Sequence, residues 1–221
     1  RRAVYVLALV ALGGAIPRLL DAALRPIDYN GFWHVFIARQ EAWPAFWHEV
    51  RANAHPPLYY LLLKLAIRVL GNSFLAYRAI SIVSVGVAIL IFGRISTRLV
   101  SVPALAFAAT AAFGLSAATV EIGLEVRSYA LFLALTLAAL EAYLRWLDAP
   151  AGSASNGLRI GFATAATLAL LSHYSGFFFL GACLVGPPVL SAWDRGWRAW
   201  LGRELADRWR AVVAMFALPM A

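Results

Sequence analysis

The side chains best suited to chemistry fall in three polar stretches and at one isolated arginine. The first stretch, residues 21–57, holds Asp28, Tyr29, Asn30, Trp33, His34, Glu41, Trp43, Trp47, His48, Glu49, Asn53 and His55. Asp28 follows the turn signal Arg25-Pro26. A carboxylate so placed acts either as a general base toward a substrate hydroxyl or as a solvated loop acid. His55 precedes Pro56-Pro57, and prolines that open a helix fix the backbone before it. The second stretch, Glu125-Val126-Arg127-Ser128-Tyr129, offers a carboxylate, a guanidinium and a phenol at the opening of an apolar run. It reads as a binding constellation or as an internal Glu–Arg pair. The third is His173-Tyr174, a polar break between two apolar runs. Arg78 lies inside an apolar run, where a guanidinium is costly and suits bidentate phosphate binding or snorkelling to lipid phosphates. His34 reads as a surface histidine, and Trp33, Trp43 and Trp47 as anchors at a membrane surface.

The elements that must position these groups are membrane helices. The chain is 62% hydrophobic and 14% charged, with mean hydropathy +0.75. Soluble domains carry about 25% charge, so a water-soluble fold is excluded, and the 13% aromatic content excludes disorder. The lone cysteine, Cys183, excludes an intrachain disulfide. A net charge of +8 without a polar basic domain points to membrane topology rather than nucleic acid. No P-loop, GxSxG, HExxH, CxxC or GxGxxG arrangement occurs. The expected fold class is all-α, a polytopic membrane helix bundle.

A spanning helix needs about 20 apolar residues. The candidates are 3–20, 73–93, 102–120, 128–147, 159–173, 175–192 and 211–221. Residues 31–39 predict a short helix lying on the membrane. Residues 58–70 are interrupted by Lys64 and Arg68. Tyr60, Lys64 and Arg68 share one helical face, while Leu61, Leu62, Leu65 and Val69 lie away from it. This spacing predicts an amphipathic interfacial helix. With 58–70 in the interface, the arginine-rich segments fall on one side, as the positive-inside rule requires. The loop 21–57, the segment 121–129 and the His173-Tyr174 break then share the outer side. Asp28, His55, Glu125, Arg127 and His173 would meet at one site. Residues 1–221 read as the N-terminal part of a longer transmembrane domain, with a first outer loop at 21–57.

The order Asp28, His55-Pro56-Pro57-Leu58-Tyr59-Tyr60, Ala76-Tyr77-Arg78-Ala79-Ile80-Ser81, Glu125-Val126-Arg127-Ser128-Tyr129-Ala130-Leu131 and His173-Tyr174 resembles the N-terminal half of the GT-C-type membrane glycosyltransferases. Within them it is most similar to the dolichyl-phosphate-mannose–protein mannosyltransferase superfamily, which includes bacterial aminoarabinose transferases acting on lipid A. The resemblance implies a GT-C-like bundle in the cell inner membrane that moves a hexosyl or pentosyl group. The donor would be a polyprenyl-phosphate-linked sugar, the acceptor would lie on the outer face, and the anomeric centre would invert. Asp28 would be the base. Arg78, with Arg127 and Lys64, would hold the donor phosphate. His55, Tyr59, Glu125, Tyr129, His173 and Tyr174 would complete the substrate site, without nucleotide. The family usually shows Asp-Glu in the first loop, whereas Asp28 is followed here by Tyr29. A divalent metal therefore stays open, with Glu125, His34 or His55 as replacement ligands. A non-catalytic transporter or flippase of lipid-linked sugars is the alternative, and a structural membrane subunit with internally paired charges is a third.

Overall fold

A computed structural model describes residues 24–53, 55–149 and 155–193, with isolated positions at 13, 20, 195, 196, 198, 199 and 202. The expected spans 3–20 and 211–221 lie outside the described residues. Among the described residues the chain is entirely helical: α1 (Tyr29–Arg39), α2 (Trp43–Ala52), α3 (Leu58–Leu70), α4 (Phe74–Leu99), α5 (Pro103–Leu115), α6 (Ala117–Leu124), α7 (Tyr129–Leu147), α8 (Ser155–Ser172) and α9 (Gly176–Trp193).

Three helices, α4, α7 and α9, are long and apolar enough to cross a membrane. Three expected spans come out differently. Residues 102–120 form α5 and α6, bent by 44° at Ser116, so this pair is one broken span or a re-entrant loop. The break has a local cause: the Ser116 hydroxyl accepts from Thr119 N at 3.2 Å and donates to Phe113 O at 2.9 Å, ending one helix and capping the next. Residues 159–173 extend back to Ser155, and the polar first turns with Asn156 and Arg159 keep α8 out of the spanning class. The run 73–93 continues to Leu99, because Arg94 and Arg98 join the helix and meet α7 instead of ending it.

Local signals set the helix ends. Asp28 Oδ1 accepts from Gly31 N at 3.0 Å and caps α1. Pro56-Pro57 open α3, as the sequence predicts. Gly71 ends α3 with φ 83° and ψ −175°, a conformation essentially restricted to glycine. Ser73 then caps α4, accepting from Ala76 N at 3.2 Å.

Contacts at the two ends orient the bundle. At one end of α4, Ser81 Oγ donates to Glu125 O at 2.7 Å, just before α7. At the other end Arg94 pairs with Glu141 at 2.8 Å, and Arg98 donates to Leu144 O at 3.1 Å and pairs with Asp148. Helices α4 and α7 therefore run parallel, with α5 and α6 as the return. Where they meet, Val85 and Ile89 of α4 pack on Ala130 of α7, and α4 also buries the small residues Ser81, Ser84, Ala88 and Gly93. In lipid, where apolar burial gives helices no net attraction, small residues that admit close backbones supply the packing. On the far side of α7, Tyr143, Trp146, Phe162, Leu170, Leu180 and Cys183 form the core with α8 and α9.

Arg78 joins the parts that would otherwise hang apart. It is 5% exposed, and its Nε donates to Leu124 O at 2.7 Å, one terminal nitrogen to Arg25 O at 2.9 Å, the other to Pro26 O at 3.2 Å. The fork thus holds the α6–α7 turn and the entry to α1 against α4. An unsatisfied buried carbonyl costs about 1–3 kcal/mol. We expect Arg78→Ala to lower stability by on the order of 3 kcal/mol or more, read as a lower thermal midpoint in detergent. Arg78→Lys should recover only part of it, because an ammonium cannot reproduce the planar fork. An unchanged midpoint in both variants would remove Arg78 from this role.

Candidate functional site

The cleft lies where α1, the end of α2, the head of α3 and the start of α7 converge. Its volume is about 130 Å³, and it is lined by Asn30, Trp33, His34, Asn53, His55, Arg127, Ser128 and Tyr129. Two of the stretches singled out in the sequence, 97 positions apart between Asn30 and Arg127, supply its walls.

Arg127 is the charged group at the centre. Its side chain is 24% exposed and one terminal nitrogen lies 3.7 Å from Asp28 Oδ2. The other donates to Tyr129 Oη at 3.3 Å, with the guanidinium 5.7 Å from the Tyr129 ring centroid. Nε is buried with no hydrogen-bond partner. Burial opposes its charge, but Tyr129, Glu125 and Asp28 outweigh that and hold its pKa above the usual value. Asp28 uses one carboxylate oxygen as the α1 cap and turns the other toward Arg127. Gly31 permits this, because a Cβ there would stand 2.7 Å from Asp28 Oδ1 and 3.2 Å from Val126 Cβ. Glu125 sits on the same turn. Burial raises its carboxyl pKa, partly offset by Arg127, while Glu121 and Asp28 add to the rise.

The histidines form the opposite wall. His34 is buried, not at the surface as the sequence suggests, because it faces α3 rather than solvent. Its ring lies 5.3 Å from that of Tyr60, 5.8 Å from Tyr59 and 6.0 Å from His55. Burial above all, helped by His55 and Arg127, lowers its pKa to about 4. His55 is exposed and its Nδ1 lies 2.7 Å from Asn53 O. Asn53 Nδ2 donates to Tyr60 Oη at 2.5 Å, and burial pushes the Tyr60 hydroxyl up to about 12. Tyr59 is fully buried beside Ser81 and its pKa also rises by burial. Both phenols stay neutral; Tyr60 packs and hydrogen-bonds, whereas Tyr59 Oη is buried without a hydrogen-bond partner. His173 packs against Tyr129 at 5.5 Å and Phe132 at 5.3 Å, and its Nδ1 accepts from Ser175 N at 3.1 Å. It braces Tyr129 from behind, and Tyr174 beside it is 54% exposed.

Two expected phosphate ligands have other partners. Arg78 is committed to three backbone carbonyls. Lys64 donates to Ala38 O at 3.3 Å and to Gln40 O, closing the end of α1, and stands 5.6 Å from the Trp43 ring and 5.3 Å from Phe46. Of the face predicted as polar, Tyr60 and Lys64 turn inward onto α1 and α2 and Arg68 is exposed, as are Leu65 and Val69. Asn30, Asn53 and Ser128 belong to the polar stretches singled out in the sequence, where they carry no assigned role, and the structure places them in the lining. Trp33 reads there as an anchor and proves to be a cleft wall as well.

Among the described residues no group of three or more His, Cys, Asp or Glu side chains is placed to hold a metal ion. His34 and His55 have no carboxylate in their ring cluster, and Asp28 is turned to Arg127, so these residues do not fit a metal centre. Comparison with protein-family models, curated proteins and solved structures finds no match to the chain.

The low His34 pKa sets a direction for pH dependence. In the unfolded chain a histidine takes up its proton near pH 6.5. In the folded chain His34 resists protonation until about pH 4. Stability is therefore undiminished above pH 6.5 and falls between pH 6.5 and pH 4, by on the order of 3 kcal/mol at 1.36 kcal/mol per pH unit. Thermal midpoints measured across that range should fall with acidification in wild type and fall less in His34→Gln. Equal slopes would place the acid sensitivity elsewhere.

Proposed function

We propose that the chain is the acceptor- and donor-binding part of a membrane glycosyltransferase that draws its sugar from a polyprenyl-phosphate donor. The observation that supports this most is the Asp28–Arg127 pair, whose arginine lines a polar cleft, beside helices long and apolar enough to cross a membrane. In this reading Asp28 Oδ2 takes the proton of an acceptor hydroxyl. The acceptor oxygen forms its bond at the anomeric carbon as the bond from that carbon to the phosphate oxygen breaks. The electron pair leaves with the lipid phosphate, and one-step displacement inverts the centre.

Arg127 takes the phosphate role that the resemblance spreads over three cations, because Arg78 and Lys64 are spent on carbonyls. A guanidinium that lines the cleft stabilises negative charge as it develops on the leaving group, and the more so as bound substrate displaces water. His55, Tyr129 and the two asparagines orient the sugar and acceptor. The GT-C-like bundle, the outer-face site and the cell inner membrane belong to the same proposal.

Asparagine caps a helix about as well as aspartate, so Asp28→Asn keeps the start of α1 while removing the base. In the full-length protein in lipid nanodiscs with polyprenyl-phosphate sugars, this variant should lose about 10²–10⁴-fold in release of polyprenyl phosphate, with an unchanged thermal midpoint. Release at the wild-type rate would defeat the catalytic assignment. Sugar-lipid translocation without release, in wild type and variant alike, would favour the flippase alternative.

A further inference from the structure

Helix α1 carries an exposed aromatic stripe that the cleft only partly uses. Tyr29, Phe32, Trp33 and Phe36 follow the i, i+3, i+4, i+7 spacing of one helical face. Tyr29 is 74% exposed, and Phe36, the least open of the four, still 38%. Their rings meet edge to face at 6.2 Å for Tyr29–Trp33, 6.4 Å for Phe32–Trp33 and 5.6 Å for Trp33–Phe36. The opposite face, Gly31, His34, Val35 and Ala38, is buried against the body of the protein.

The depth of α1 follows from Arg78. Helix α4 has 26 residues, about 39 Å at roughly 1.5 Å per residue, against a hydrocarbon core of about 30 Å. Several ångströms of helix must therefore stand in the headgroup layer. Arg78 lies four residues after Phe74, the first residue of α4, or about 6 Å along the axis. Its bonds to Arg25 O and Pro26 O draw the entry of α1 to that level. This is the boundary between headgroups and acyl chains, where tryptophan and tyrosine concentrate. Arg39, exposed, stands at the far end of the stripe, as a flanking cation does when it reaches lipid phosphates.

We infer that the aromatic stripe seats α1 in the bilayer interface, so that the cleft opens at headgroup depth. Trp33 belongs to both stripe and cleft, and one ring therefore touches lipid on one side and the cleft on the other. A ligand enters from the headgroup layer rather than from bulk water. The inference does not depend on the transfer chemistry.

The test measures depth in the full-length protein. Cys183 is the lone cysteine of residues 1–221 and is buried, so a background with Cys183 and any further cysteine of the full-length protein replaced by Ala accepts one nitroxide label through Phe32→Cys or Phe36→Cys. In proteoliposomes of zwitterionic and anionic lipid, power saturation with oxygen and with a water-soluble nickel chelate gives depth, calibrated by spin-labelled lipids. Both labels should collide more with oxygen than with nickel and fall between the phosphates and the upper acyl chain. Nickel collisions equal to those of a label in free solution would overturn the inference. Low collisions with both reagents would also overturn it, showing that protein covers the stripe. A second measurement keeps Cys183. The fluorescence difference between wild type and Trp33→Phe should be quenched by lipids brominated high on the acyl chain, and absence of quenching counts against the inference.

Discussion

One guanidinium inside an apolar helix organises the rest of the molecule. The carbonyls of Arg25, Pro26 and Leu124 all lie at points where the chain leaves helical hydrogen bonding, and each needs a donor. Arg78 answers all three from one side chain whose planar fork cannot relax without losing them. An arginine in that position carries a high solvation cost, and the bonds it makes offset that cost. The entry to α1 and the α6–α7 turn are thereby fixed to the same level of α4. The Asp28 cap and Arg127 follow from those two attachments, and their 3.7 Å approach depends on both.

The other end of the bundle uses charge differently. Arg94, Arg98 and Arg145 are matched there by Glu141 and Asp148. The Arg94–Glu141 and Arg98–Asp148 pairs tie α4 to the end of α7 away from the cleft, while Arg145–Glu141 lies within α7, and exposed ion pairs by themselves contribute little. Between the two ends Ala130 packs on Val85 and Ile89. A bulkier side chain at Ala130 would push the helices apart and misalign both polar layers. The cleft is therefore held from below as well as from the loop side.

Much of this was legible in sequence because the signals are local. The Pro56-Pro57 start, the length of 58–70 and the short helix after Asp28 depend on nearest neighbours, and the structure has helices at Leu58–Leu70 and Tyr29–Arg39. The run 128–147 stands as Tyr129–Leu147 for the same reason. The break at Ser116 was not legible, because hydropathy averages over a serine that hydrogen-bonds in both directions. Topology leads one to expect Asp28, His55, Glu125, Arg127 and His173 at one site; of these the cleft lining holds His55 and Arg127, and the partners of each are not legible in sequence. Arg78 and Lys64 look like free cations in a sequence; only the fold shows that carbonyls many residues away have claimed them. His34 was misjudged for a related reason, since its burial comes from α3 and not from its own helix.

The central claim is that Asp28 and Arg127, brought together by the Arg78 fork, form the reacting pair, with Arg127 lining the cleft. The most direct measurement is a structure of the full-length protein with a non-hydrolysable polyprenyl-phosphate sugar. The account predicts the phosphate on Arg127, within about 3 Å of a guanidinium nitrogen, and the anomeric carbon facing the free oxygen of Asp28. A ligand bound elsewhere, with the Asp28–Arg127 pair undisturbed and the cleft unfilled, would contradict it.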